Sequence, residues 1–184
     1  MARRMKNRLQ KVSSRVTFIL GGAASGKSAF AEEIVENYVK SKVYLATSQY
    51  LDDEMRAKVA THRARRGPDW TTIEAPLHCA AALARLGADQ VCLMDCATMW
   101  LTNHLLSGSD IDAEQAALLS AIDACPADLV IVSNEVGQGI VPENALARRF
   151  REAQGRLNIA LAGRADRVIL IAAGLPLAIK GALP

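Results

Sequence analysis

Residues 16–28 read VTFILGGAASGKS, and this stretch decides the fold. Val16–Leu20 is a short apolar run rich in β-branched and aromatic side chains, the pattern of a buried strand. It stops at Gly21, Gly22, Ala23, Ala24, Ser25, Gly26, Lys27 and Ser28, which fit the phosphate-loop spacing G-x-x-x-x-G-K-[ST]. The spacing has a physical reason. Glycines let the backbone turn tightly and approach an anion with no Cβ in the way. Successive N–H groups then converge on the anion, and the next helix adds its positive dipole end. In this pattern Lys27 reaches the outer phosphates and the Ser28 hydroxyl holds Mg²⁺. Residues 27–39 supply the helix, with Phe30, Ile34 and Val35 at helical spacing and Glu32, Glu33 and Glu36 elsewhere on the wheel.

Working outward, Lys42–Ala46 is a second strand, and Thr47, Ser48 and Gln49 follow at its end. Ligands gather at such carboxyl ends in open α/β sheets. Thr47 and Ser48 suit helix-entry hydroxyls equally well. Residues 52–66 predict a helix with Asp52, Asp53 and Glu54 at its N-terminus and Arg63, Arg65 and Arg66 at its C-terminus. On that helix His62 shares a face with Lys58, Arg65 and Arg66. Neighbouring cations favour the neutral, nucleophilic imidazole, whereas the helix C-terminus opposes it. The cluster would also hold a polyphosphate, but on these residues alone a solvated basic helix end is the simpler reading.

Thr71–Glu74 predicts a short strand or turn, with Glu74 a candidate rim carboxylate, and Leu77–Leu86 an Ala-rich helix. Val91–Asp95 is an apolar strand ending in an acid that would bind Mg²⁺, directly or through water, beside Ser28. Residues 97–106 and 113–124 predict helices; Asn103 and His104, in the first, have no assignable role. Asp128–Ser133 is a third strongly apolar strand, leading into a loop shaped by Gly137, Gly139 and Pro142. Glu135 in that loop suits a general base, a metal-shell group or a substrate ligand, or simply a connection. A long helix over 143–164 carries Arg148, Arg149, Arg151 and Arg156; Arg167–Ala172 is the last clear strand, and 174–184 reads as a weak tail. Strands alternating with helices define the α/β class with a mostly parallel sheet.

The length of 184 residues suits one catalytic domain over 15–184, preceded by a basic, disordered lead-in over 1–14. Of 22 Lys and Arg residues, six fall within residues 1–15, leaving 16 against 19 acids in the remainder. The body is therefore no basic nucleic-acid surface. No run reaches the roughly 18 apolar residues of a membrane helix. Cys79, Cys92, Cys96 and Cys125 form no C-x-x-C pair and sit in apolar contexts, which predicts buried, reduced thiols and a cytoplasmic location. The three histidines show no zinc-ligand spacing to them.

Four segments together carry a resemblance: GGAASGKS; YLATSQYLDDEM running into THRARRGPDW; VCLMDC with TMWLTN; and SNEVGQGIVPENALARRFREAQGRLN. The chain resembles the bifunctional adenosylcobinamide kinase / adenosylcobinamide-phosphate guanylyltransferase family of cobalamin biosynthesis. The resemblance implies a RecA-like P-loop NTPase fold, a homotrimer and two reactions. One transfers the γ-phosphoryl of ATP or GTP to adenosylcobinamide. The other transfers GMP from GTP to that phosphate through a GMP–histidine intermediate. Only His62 occupies the place of the family's histidine, which replaces the simpler reading given above. The resemblance also implies nucleotide binding by residues 21–28, Thr47, Ser48, Gln49, Arg63, Ala64, Arg65, Arg66, Glu74 and Asp95, with Mg²⁺ at Ser28 and Asp95. Two departures are Thr61, where some members carry another histidine, and Asp95, where many carry glutamate. Competing expectations are a P-loop small-molecule kinase without the transferase step, a RecA-like nucleic-acid-binding ATPase, and a nucleotide-binding module without catalysis.

Overall fold

The computed structural model describes residues 15–48 and 67–184. In chain order the elements are β1 (Val16–Gly21), α1 (Lys27–Glu36), β2 (Ser41–Ala46), β3 (Trp70–Glu74), α2 (Cys79–Leu83), β4 (Gln90–Asp95), α3 (Ala97–Ser107), α4 (Ile111–Ala124), β5 (Asp128–Asn134), α5 (Ala145–Arg164), β6 (Arg167–Ala172) and β7 (Leu175–Lys180). The strands form one seven-stranded sheet in the order β3-β2-β4-β5-β1-β6-β7. Every pairing is parallel except β6 with β7. Parallel strands are covered on both faces, so they read as continuous apolar runs. That is why β1, β4, β5 and β6 stand out in the sequence.

The strand period of two divides each run between two cores. Phe18, Leu129, Ile131, Cys92 and Met94 face one side, where they pack with Trp100, Leu101, Leu118, Ile122 and Leu157 of α3, α4 and α5. Ile19, Val130, Val132, Val91 and Leu93 face the other, against Ala31, Ile34 and Val35 of α1. The four thiols are free and buried, as expected. Burial pushes Cys79 up to about 12 and Cys96 up to about 11, so they stay protonated.

Two expectations are corrected. The weak tail over 174–184 contains β7, which pairs antiparallel with β6. The helix expected over 77–86 is confined to Cys79–Leu83. Ala173 (φ 51) and Gly174 (φ 79) form the β6–β7 turn, with positive φ at both central residues as a two-residue type I′ hairpin requires.

Candidate active site

The phosphate loop fills the connection from β1 to α1, as its motif demands. Gly26 caps α1 with φ 95 and, being glycine, makes no side-chain cap bond to that end of the helix. The first N–H groups of α1 therefore have no acceptor within the helix and face the loop. Lys27 Nζ donates to Gly22 O at 3.0 Å, bridging the loop's two ends. A Cβ on Gly21 would lie 2.7 Å from the Ile171 carbonyl oxygen and 2.5 Å from Ser25 Oγ, so only glycine fits. The Glu135 N–H donates to Gly21 O at 3.0 Å, tying the end of β5 to the start of the loop.

Beside it, the register brings the carboxyl ends of three strands level: Ala46 pairs with both Glu74 and Asp95. Tyr44 donates its phenol to Asp95 Oδ2 at 3.2 Å, which orients the carboxylate. Thr47 is wholly buried and locks β2 to β4. Its hydroxyl donates to Cys96 O at 2.8 Å and accepts from the Cys96 N–H at 2.7 Å. Asn103 Nδ2 donates to the Thr47 and Pro76 carbonyls at 2.8 and 2.9 Å. The Cys96 thiol is raised chiefly by burial and then by the Asp95 charge, while the Met99 and Thr98 N–H groups and, least, the Lys27 ammonium partly offset them. The phosphate-loop lysine and the end of β4 thus share one electrostatic neighbourhood.

At the end of β5 a buried polar cluster fixes the third wall. Ser133 Oγ donates to Asn158 Oδ1 at 2.7 Å and accepts from Gln154 Nε2 at 2.9 Å. The two backbone groups of Asn134 are held from different helices: its N–H by Thr98 Oγ1 at 2.8 Å, its carbonyl by Asn158 Nδ2 at 3.1 Å. Glu135 folds back, accepting from the Gly137 N–H at 2.5 Å. Arg151 then donates to the Ile140 and Gly137 carbonyls, and Arg148 to those of Pro142 and Glu143. Three buried polar atoms here, Ser25 Oγ, Asn134 Oδ1 and Gln154 Oε1, have no partner among the described residues. Ser25 Oγ and Asn134 Oδ1, beside the phosphate loop and at the end of β5, offer hydrogen-bonding capacity to a ligand or its waters.

Of the expected site residues, residues 21–28, Thr47, Ser48, Glu74 and Asp95 all lie at carboxyl ends of the sheet. Gln49, His62, Arg63, Ala64, Arg65 and Arg66, with the expected helix over 52–66 and the lead-in over 1–14, lie outside the described residues. The sequence reading missed Tyr44, Asn103 and the Ser133–Gln154–Asn158 cluster. Polar residues interrupting apolar helix faces were the available signal for Asn103, Gln154 and Asn158. His104 is likewise buried, its ring nitrogens 3.0 Å from Ser109 Oγ and 3.1 Å from Leu77 O.

A strand, a phosphate loop and a helix on a parallel sheet, with an acid closing a neighbouring strand, define a P-loop NTPase fold of the RecA-like kind. Solved structures agree. A prototypical ATPase from the type III secretion system of pathogenic bacteria superposes with a TM-score of 0.57 at 12% identity, over 89% of this chain and 56% of that one. The RadB recombinase superposes with a TM-score of 0.50 at 13% identity, over 84% and 73%. At such identities the likeness is one of fold. The family model for cobinamide kinase / cobinamide phosphate guanyltransferase matches residues 17–179. The chain is also 44% identical over 166 residues to the bifunctional adenosylcobalamin biosynthesis protein CobP of Pseudomonas aeruginosa, covering 89% of this chain and 96% of that protein. The chain belongs to the cobinamide kinase / cobinamide phosphate guanyltransferase family, whose members are bifunctional enzymes of cobalamin biosynthesis.

Proposed function

We propose that this enzyme phosphorylates adenosylcobinamide with ATP or GTP, then transfers GMP from GTP to adenosylcobinamide phosphate, releasing adenosylcobinamide-GDP and pyrophosphate. The observation that carries the reading is a complete, well-braced phosphate loop in a chain that the family model matches from 17 to 179. Residues 15–184 act as one catalytic domain at a cytoplasmic location. Among the described residues no helix is long and apolar enough to cross a membrane. Leu175, Leu177 and Ile179 are exposed in a row along β7, which supports association of copies into the trimer that the resemblance implies.

Mg²⁺ takes oxygen ligands and keeps several waters and phosphate oxygens beside one or two protein groups. The Ser28 hydroxyl and the Asp95 carboxylate are donors of that kind and would hold it. When bound it supplies neutralising charge to the phosphate oxygens. Lys27 offsets charge developing on the transferred group. Thr47 has its hydroxyl, N–H and carbonyl all engaged, so it acts by setting the position of Ser48. Glu74 and Arg63 to Arg66 complete the nucleotide contacts. Glu135 is the candidate acceptor of the hydroxyl proton in the kinase step.

Guanylyl transfer runs through two displacements. Neutral His62 attacks the α-phosphorus of GTP; a P–N bond forms as the P–O bond to pyrophosphate breaks. A phosphate oxygen of adenosylcobinamide phosphate then attacks that phosphorus, and the P–N bond breaks to restore the imidazole. The test is incubation of His62→Ala with α-labelled GTP. We expect no acid-labile, base-stable label on the protein, no guanylylation, and some kinase activity retained. Such label on the variant overturns the assignment.

A further inference from the structure

We infer that the β6–β7 turn belongs to the phosphate-binding machinery, with Gly174 as a positioning residue; this rests on the reading that the loop holds a nucleoside triphosphate. The Gly174 N–H donates to the Ser25 carbonyl at 2.9 Å. That bond turns the Ser25 C=O toward the hairpin. A trans peptide is planar, with its C=O and N–H on opposite sides. Holding the Ser25 oxygen outward therefore aims the Gly26 N–H away from the hairpin, toward the inside of the loop. The N–H groups at the start of a helix following such a loop are those that meet an anion.

The packing is as close as the hydrogen bond suggests. A Cβ on Gly26 would come within 3.4 Å of Gly174 Cα and 3.9 Å of Ile171 Cγ2. Gly21 is hemmed in by the carbonyl of the same Ile171. Gly21 and Gly26 of the loop thus lean on β6 or its turn, and the contact to Gly174 is main chain to main chain. Gly174 itself has φ 79, yet a Cβ there would meet nothing within 4 Å. A side chain at 174 is opposed by backbone conformation alone. Asparagine tolerates the left-handed region, whereas a β-branched residue does not. The site thus offers a test that separates conformation from bulk.

Wild-type protein, Gly174→Val and Gly174→Asn are titrated with GTP by calorimetry, and KM values for GTP and adenosylcobinamide are measured on each. We expect Gly174→Val to raise the GTP Kd and KM by roughly tenfold, the scale of one misdirected hydrogen bond, and to leave the adenosylcobinamide KM in place. Gly174→Asn should stay within about twofold of wild type, since it keeps the turn. A substitution that merely unfolded some of the enzyme would lower kcat and move neither KM. If Gly174→Val does not fold, Gly174→Ala replaces it, with a smaller rise in both GTP constants expected. A valine or alanine variant binding GTP like wild type, or an asparagine variant as impaired as valine, overturns the role of the turn. Wild-type protein that binds no GTP overturns the functional reading instead.

Discussion

The loops that follow β1 and β5 lie side by side, joined by the Glu135 N–H on the Gly21 carbonyl, yet they are held by opposite means. The first is braced mainly by main chain: Ser25 N–H on Gly22 O, Gly174 N–H on Ser25 O, and a helix beginning at its last residues, with the Lys27 ammonium added on Gly22 O. The second is held by two long side chains, Arg148 and Arg151, which reach back from α5 to its carbonyls. It leaves Ile140 and Val141 exposed. Main-chain contacts add no side-chain entropy cost, whereas an arginine has about 2 kcal/mol of rotamer freedom to lose. One loop is therefore preset for a ligand of fixed shape, and the other is the more easily rearranged.

The contrast can be broken most severely at the first loop. Lys27→Ala removes the cation that bridges it, and both activities should fall by roughly 10²–10³-fold, the scale of a lost transition-state donor. A kinase assay beside a guanylylation assay checks this; a normal rate in either would mean the two reactions do not share this loop. Arg151→Ala should release the second loop alone, costing about 1 kcal/mol and speeding proteolysis over residues 137–143, with GTP affinity unchanged. Limited proteolysis and calorimetry read the two outcomes, and weakened GTP binding would show that the loops are not independent. Ala173→Asn should have the smallest effect. Ala173 sits at φ 51, which asparagine tolerates better, so a gain of roughly 0.5 kcal/mol or about 2 °C in melting temperature is expected at unchanged GTP affinity.

Much of this arrangement is readable before any fold is known. The phosphate loop is legible because its chemistry needs glycines at fixed places, and β4, β5 and β6 because burial on both faces leaves no polar positions. β7 is an edge strand with Pro176 inside it and apolar side chains turned to solvent, so neither alternation nor an unbroken run marks it. The turn before it acts through an N–H, which no side chain advertises. From its place after β2, Thr47 suits a ligand contact or a helix-entry hydroxyl equally well, but its hydroxyl is engaged by Cys96 across the neighbouring strand, a pairing 49 residues apart in sequence. Asn103 and His104 lacked a role for the same reason: the carbonyls they meet belong to Thr47, Pro76 and Leu77, brought near only by the sheet order. Glu135 suits a base, a metal-shell group, a substrate ligand or a plain connection in the sequence, which does not show that its carboxylate accepts from the Gly137 N–H of its own loop.

The Ser133 cluster has a consequence for how the molecule can be rebuilt. Gln154 and Asn158 stand one helical turn apart and both clasp the same hydroxyl, while Asn158 also grips the backbone of β5. A roll or a one-residue slide of α5 would break these bonds together and strand amide groups in a dry interior. They index the helix against the sheet, so the segment between Glu135 and Asn144 can be shortened, grafted or randomised while the helix keeps its phase.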